Sequence, residues 1–286
     1  MPITEEQRKD RKNHIGGSDM AAILGLDKFK TAEDVRLEKC GKLIDQQVTN
    51  AAMDAGNYLE DGVLNFAETT LGKLIRNQTK AIEDSPIVVN TDAVVVADSV
   101  PVEAKTTGIL WNTDEWWGAD GTDEVPDRVI VQATCHMLAW KAQLCHVPSL
   151  IGGRGFVMYA VPWNKDVADV ILEAAGSFWV KNVLADTPCE NSQASLQVVK
   201  MLKRTPNKVV GIDPLLVEKW LETKEEKSKA EKAAEAAQAA ILAALGDAEA
   251  GQAGEYGAVT YLEQKRAGYT VKDTAFRVLR LKKGGL

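Results

Sequence analysis

The hydrophobic positions change period several times along the chain. A glycine turn, Ile15-Gly-Gly-Ser18-Asp19, leads into Met20-Ala-Ala-Ile-Leu24, which predicts a helix with Ser18 or Asp19 as its N-cap. Thr31 to Cys40 predicts a second helix, stopped by Gly41. From Ala51 to Leu71 apolar residues recur at helical spacing (Leu59, Val63, Leu64, Ala67), and Gly72 ends the run. The texture then becomes β-branched. Ile87–Val89, Ala93–Val96 and Val100–Lys105 read as the strands of a hairpin or meander. Helical spacing returns from Arg128 to Lys141. Ser149–Ile151 and Gly155–Val161 read as strands, and Val167–Leu184 as a helix. The order helices, strands, helix, strands, helix predicts a mixed α/β core.

Near residue 205 the pattern changes again. Pro214 to Leu245 reads as one long helix, rich from Lys224 in Ala, Glu and Lys. Gly246, Gly251, Gly254 and Gly257 break it, Ala258–Leu262 reads as a strand, and a basic tail follows. The expected division is a core domain over 1–204 and an accessory helical-plus-strand module over 205–286.

Composition narrows the classes. Of 286 residues, 45% are hydrophobic, enough for a sizeable core, and 26% are charged. No apolar run approaches the roughly 18 residues that span a bilayer. The start, Met1-Pro-Ile-Thr-Glu-Glu6, lacks the apolar stretch of a secretory signal, so a cytoplasmic protein is expected. Cys40, Cys135, Cys145 and Cys189 form no CxxC pair and read as reduced packing residues. The net charge of -7 argues against coating nucleic acid by bulk charge. The cations are uneven, however: residues 8–12 read Arg-Lys-Asp-Arg-Lys, and Lys265, Arg266, Lys272, Arg277, Arg280, Lys282 and Lys283 crowd the tail.

Candidate chemistry centres on Asp92 and Glu103-Ala104-Lys105. Side chains alternate along a strand, so Glu103 and Lys105 share a face, and Asp92 on a neighbouring strand can converge on Glu103. Two carboxylates and the Ala104 carbonyl suit a hard ion such as Mg²⁺. Such an ion activates water and stabilises charge on a phosphodiester. Alone, the pattern is weak, because many strands carry it as solvent-facing charge. Glu60, in Gly56-Asn-Tyr-Leu-Glu60, lies on the preceding helix, and Gln132 on the following one, where an amide can hold the attacking water. Arg11 and Ser18 flank the glycine turn, an arrangement suited to a phosphate.

Taken in order, Arg11, Ile15–Gly25, Gly56-x-x-x-Glu60, Asp92, Glu103-x-Lys105 and Gln132 resemble the YqaJ-like viral recombinase family, relatives of phage lambda exonuclease in the PD-(D/E)xK nuclease superfamily. The resemblance spans roughly residues 8–165. It implies a restriction-endonuclease-like core, with a mixed sheet flanked by helices, and a C-terminal extension. It also implies 5′→3′ digestion of linear double-stranded DNA with Mg²⁺ or Mn²⁺, two ions being expected. Asp92, Glu103 and the Ala104 carbonyl take the place of metal ligands, with Glu60 near the second ion. Lys105 takes the place of the catalytic lysine and Gln132 of the closing glutamine, and Arg11 and Ser18 bind the 5′ phosphate. A ring-shaped trimer around DNA, a single-strand annealing partner and a bacterial host cytoplasm are implied with them. One departure stands out: the family's usual Pro-Asp-Gly is Thr91-Asp92-Ala93 here, which leaves the turn at Asp92 open and Asp98 as a rival ligand. The 108–127 insert, with Trp111, Trp116 and Trp117, reads either as a wedge at a DNA end or as a packed loop. Two alternatives stand beside the exonuclease: an endonuclease of the same superfamily, and a silent DNA-binding or assembly module.

Overall fold

The computed structural model describes residues 11–44, 50–108 and 116–263. The basic residues at 8–10, Trp111 and the basic tail from Lys265 lie outside the described residues. The chain divides into two compact units, Met1–Arg204 and Thr205–Leu286.

In the first unit the elements run β1 (Ile15–Gly16), α1 (Asp19–Ile23), α2 (Ala32–Lys39), α3 (Ala51–Leu71), β2 (Leu74–Ala81), β3 (Ile87–Val95), β4 (Pro101–Val102), β5 (Lys105–Thr107), α4 (Asp127–Trp140), β6 (Leu144–Ile151), β7 (Gly155–Pro162), α5 (Lys165–Phe178) and α6 (Leu196–Lys200). The local chemistry explains the boundaries. Thr31 and Asp34 form a reciprocal capping box at α2. The Asn50 side chain caps α3, and Gly72, at φ 81°, ends it. Lys141 ends α4 in the left-handed conformation. A π-helical turn, Trp179–Leu184, extends α5.

The strands form one seven-stranded mixed sheet. One edge of β3 pairs antiparallel with β2 over almost its whole length. On the other edge β1 runs parallel at Ile87 and Val88, while β4 runs antiparallel at Ala93 and Val94. The β6 strand is similarly shared: β7 lies antiparallel along one edge, and β4 and β5 lie parallel along the other. Two faces of the sheet are covered. Ile87, Val89, Val131, Cys135 and Ile171 join α1, α4 and α5 in one cluster, and Val129, Ala133 and Met137 pack on β6 and β7 in a second. On the opposite face Leu64 and Ala67 of α3 pack on Ala93, Val95 and Val102.

Three readings of the sequence change. The runs at 87–89 and 93–96 are one nine-residue strand rather than two. Its partner β2 has mostly polar residues and a single buried apolar position, Leu74, so no hydrophobic pattern announces it. Asp92 sits inside the strand and not at a turn. Thr91 and the residues before it look toward α4, while Ala93 and Val95 look toward α3, so β3 changes face around Asp92. Asn77, the β2 residue opposite, has φ 56° there.

The second unit contains α7 (Pro214–Leu245), capped by the Asp213 side chain, and a hairpin of β8 (Ala250–Gln252) and β9 (Ala258–Thr260). No residue of α7 is buried. Its Lys229–Glu225 pair follows the i,i+4 rule and contributes only tenths of a kcal/mol, roughly, at this exposure. Among the described residues no helix is long and apolar enough to cross a membrane.

Candidate active site

A break in the sheet assembles the candidate site. Pairing between β3 and β4 stops at Ala93 and Val102. Beyond it the chain leaves β3 but stays on β6, with the Glu103 N–H donating to the His146 carbonyl at 2.9 Å. The next amide, Ala104 N–H, donates to the Asp92 side chain (Oδ2, 2.8 Å) in place of a backbone carbonyl on β3. The gap in the ladder therefore places the Asp92 carboxylate against the Glu103–Ala104 segment.

Glu103 lies between β4 and β5 and is 3% exposed. Lys105 Nζ donates to its Oε1 at 2.5 Å. Gln132 Nε2 donates to the same oxygen at 2.6 Å, and Gln132 Oε1 accepts from Lys105 Nζ at 2.9 Å. The three side chains close a triangle. Glu103 Oε2 faces His136 Nε2 at 2.8 Å, but the approach is off-axis and neither atom makes an aligned hydrogen bond.

The two carboxylates are held in opposite electrostatic states. Burial alone would raise Glu103, yet Lys105 and His136 bring it down to about 2. Asp92 is pushed well above the carboxylate range, first by burial, then by the charges of Glu103 and Glu60, with Lys105 opposing. Glu60 thus acts on the site from α3. Gly56, one turn before it, lets α3 lie close to β5, since a Cβ there would stand 3.4 Å from Thr106 Oγ1.

Among the described residues no three His, Cys, Asp or Glu side chains close on a single metal point. Asp92 and Glu103 are two buried carboxylates close enough to act on each other's charge, joined through the Ala104 N–H, and such hard oxygens are the donor type that suits Mg²⁺. Two observations fit a divalent cation here. Glu103 Oε2 is buried without an aligned donor, and the Asp92 carboxyl is raised first by burial and then by the charge of Glu103.

Arg11 and Ser18 form a second cluster. Arg11 Nη2 donates to Ser18 Oγ at 3.2 Å, and Arg11 Nε is buried without an acceptor. Ser18 occupies the N-cap position of α1, one of the two residues expected there, but its side chain makes no capping bond. The buried Asp19 organises the turn instead. It accepts from Gly16 N–H at 3.0 Å and pairs with Lys30 and Lys39, each at 2.7 Å. Burial would raise its carboxyl, but Lys30, Lys39 and Arg11 hold it far below the usual range. Lys39 also donates to the Arg11 carbonyl at 2.8 Å, fixing the arginine's backbone. The turn follows β1, whose Gly16 is level with Val88. Asp92 lies four residues farther along β3, about 13 Å at the usual strand rise. Both clusters therefore border the stretch of β3 edge left open between β1 and β4.

Other candidates separate from the site. Asp98 is exposed in the β3–β4 turn, where it accepts from Val100 N–H. Trp117 is core: it is 5% exposed and packs on Tyr159 at 5.5 Å between ring centroids, so the packed-loop reading holds for it. Trp116 is 75% exposed. All four cysteines are free. The sequence reading passed over His136, Thr91 and Trp140. Their signal was the spacing of Gln132, His136 and Trp140, four apart on one helix face.

Comparison with known proteins places these residues in context. Residues 7–140 match the model of the YqaJ-like viral recombinase domain, a span that holds every side chain of both clusters. The uncharacterized protein YqaJ of Bacillus subtilis (strain 168) is 33% identical over 181 residues, covering 61% of this chain and 55% of that protein. The chain thus spans about half the length of this relative. The crystal structure of an alkaline exonuclease from Laribacter hongkongensis matches with a TM-score of 0.50 at 15% identity, over 64% of this chain and 94% of that one. Its complex with dAMP matches equally. At that identity the likeness is one of fold.

Proposed function

We propose, from the match of residues 7–140 to the YqaJ-like viral recombinase domain, that this protein is a divalent-metal-dependent exonuclease that digests linear double-stranded DNA from the 5′ end. The observation that carries this reading is the convergence of Lys105, Gln132 and Asp92 on the buried Glu103 segment, with an arginine–serine pair at the other end of the same open strand edge. A divalent cation, Mg²⁺ or Mn²⁺ and two ions in the full site, would supply activation of water and charge stabilisation at the scissile phosphate.

The residues divide the remaining work. Asp92, Glu103 and the Ala104 carbonyl would hold the cation, and Glu60 adds negative charge on the α3 side. Lys105 places an ammonium beside Glu103, where its charge would orient the attacking water and favour its ionisation. Gln132 holds Lys105 and Glu103 in register and offers its amide to water or phosphate. Arg11, with its buried Nε lacking an acceptor, and Ser18 would bind the 5′ phosphate and set which bond reaches the centre. The assembly belonging to this reading, a ring of three copies with a single-strand annealing partner, rests on the family resemblance.

The test uses linear duplexes ending in 5′ phosphate or 5′ hydroxyl, with closed circular duplex beside them. Linear DNA is expected to be shortened from its 5′ ends and the circle left intact. Nicking of the circle would replace the exonuclease with an endonuclease. Arg11→Ala is expected to remove the preference for the 5′ phosphate, roughly tenfold or more for a charge-assisted contact. Equal preference in the variant and the wild type would detach Arg11 from phosphate binding.

A further inference from the structure

The face of α4 that carries Gln132 continues through His136 and Trp140, each one turn farther from the site. Trp140 Nε1–H donates to Thr91 Oγ1 at 3.0 Å. Thr91 Oγ1 stands 2.9 Å from His136 Nδ1, and His136 Nε2 stands 2.8 Å from Glu103 Oε2. Thr91 and His136 are each 1% exposed, so no bulk water substitutes for these partners. An indole N–H can only donate, so it fills one lone pair of the Thr91 oxygen. The hydroxyl can then give its proton to His136 Nδ1, an arrangement that would leave the ring proton on Nε2, toward Glu103.

We propose that His136, with its ring fixed by Thr91 and Trp140, is a positioning residue that sets the orientation of the Glu103 carboxylate. It acts on Oε2, while Lys105 and Gln132 act on Oε1, so Glu103 is gripped from both sides. His136 Nε2 and Glu103 Oε2 already stand at hydrogen-bonding distance though off-axis, and catalytic hydrogen bonds commonly tighten once a site is loaded. Groups that orient a metal ligand in this way change metal affinity or activity by roughly 10- to 100-fold. The proposal rests on the reading of Glu103 as part of a nuclease centre.

Thr91→Val keeps the shape and removes the hydroxyl, while Thr91→Ser keeps the hydroxyl. With Mg²⁺ and 5′-phosphorylated linear duplex, the valine variant is expected to lose roughly 10- to 100-fold in kcat, with a raised Mg²⁺ half-saturation and an unchanged KM for DNA. The serine variant is expected to recover most of that loss. Imidazole ¹⁵N spectra of the metal-free protein, assigned with His136→Asn, are expected to show the Nε2–H tautomer in the wild type and a mixture in the valine variant. Wild-type behaviour of Thr91→Val in all readouts overturns the proposal, as does equal impairment of the serine and valine variants. An Nδ1–H tautomer in the wild type overturns it too, and that measurement needs no variant to fold. A wild type that fails to digest DNA overturns the nuclease reading instead, while the spectra still report on the relay itself.

Discussion

Lys105→Ala is expected to slow digestion of linear duplex DNA by about 10³-fold, about 4 kcal/mol of barrier, with little change in KM. The size follows from where the ammonium sits. It bridges Glu103 Oε1 and Gln132 Oε1, and its charge is the largest influence holding Glu103 below its ordinary carboxylate range against burial. Removing it deprives the attacking water of the positive charge that orients it and favours its ionisation, and leaves a buried carboxylate with one cation fewer. The metal-free variant is therefore also expected to lose stability, roughly 3 kcal/mol for a broken buried pair. Added Mg²⁺ should restore part of the melting temperature without restoring the rate. Separate melting and single-turnover measurements distinguish the two effects, and a rate within tenfold of the wild type would remove Lys105 from the chemistry.

Asp92→Asn is expected to act in opposite directions on stability and activity. The folded-state pKa of Asp92 is raised, so the folded protein holds that proton more tightly than the unfolded chain does. The resulting stability is full below the unfolded value near 3.8 and is lost as pH rises through the raised folded value. At neutral pH this buried acid is thus a liability in the absence of metal, whether the cost is met as a buried charge or as a retained proton. Asparagine removes the charge and keeps an oxygen for the Ala104 N–H. The metal-free variant is expected to melt above the wild type at pH 7, by roughly 3 °C for each kcal/mol relieved, and level with it near pH 4. Activity is expected to fall by about 10³-fold, because a metal ligand is lost. The stabilisation of the wild type by Mg²⁺ should largely disappear in the variant. A lower melting temperature at pH 7 would show that the site is not electrostatically strained. Glu103 carries the opposite sign: its lowered pKa contributes stability that is lost only as pH falls toward about 2.

The same physics decides how much of this was legible in the sequence. Long helices were read to the residue, Ala51–Leu71 and Pro214–Leu245, because period, caps and terminal glycines all agree there. Strand β3 was split in two because Asn90-Thr91-Asp92 interrupts its apolar run. Those polar residues are tolerated inside a strand because the core satisfies them: Thr91 meets His136 and Trp140, and Asp92 meets Ala104. Strand β2 escaped notice because it is held by backbone pairing to β3 rather than by a buried face. Alternation correctly put Lys105 beside Glu103, although Glu103 itself lies outside the strands. Helical spacing marks His136 and Trp140, but no local rule joins them to Glu103 and Thr91, since those contacts cross 33 to 49 positions of chain.

The central claim is that a divalent metal at Asp92 and Glu103 drives hydrolysis. Its most direct test is digestion of a linear, 5′-phosphorylated duplex by the wild type and by Glu103→Gln, in Mg²⁺ and after chelation with EDTA. The account predicts digestion by the wild type in Mg²⁺ alone, and none above background in the other three conditions. Digestion by the wild type in EDTA, or by Glu103→Gln in Mg²⁺ at the wild-type rate, would contradict it.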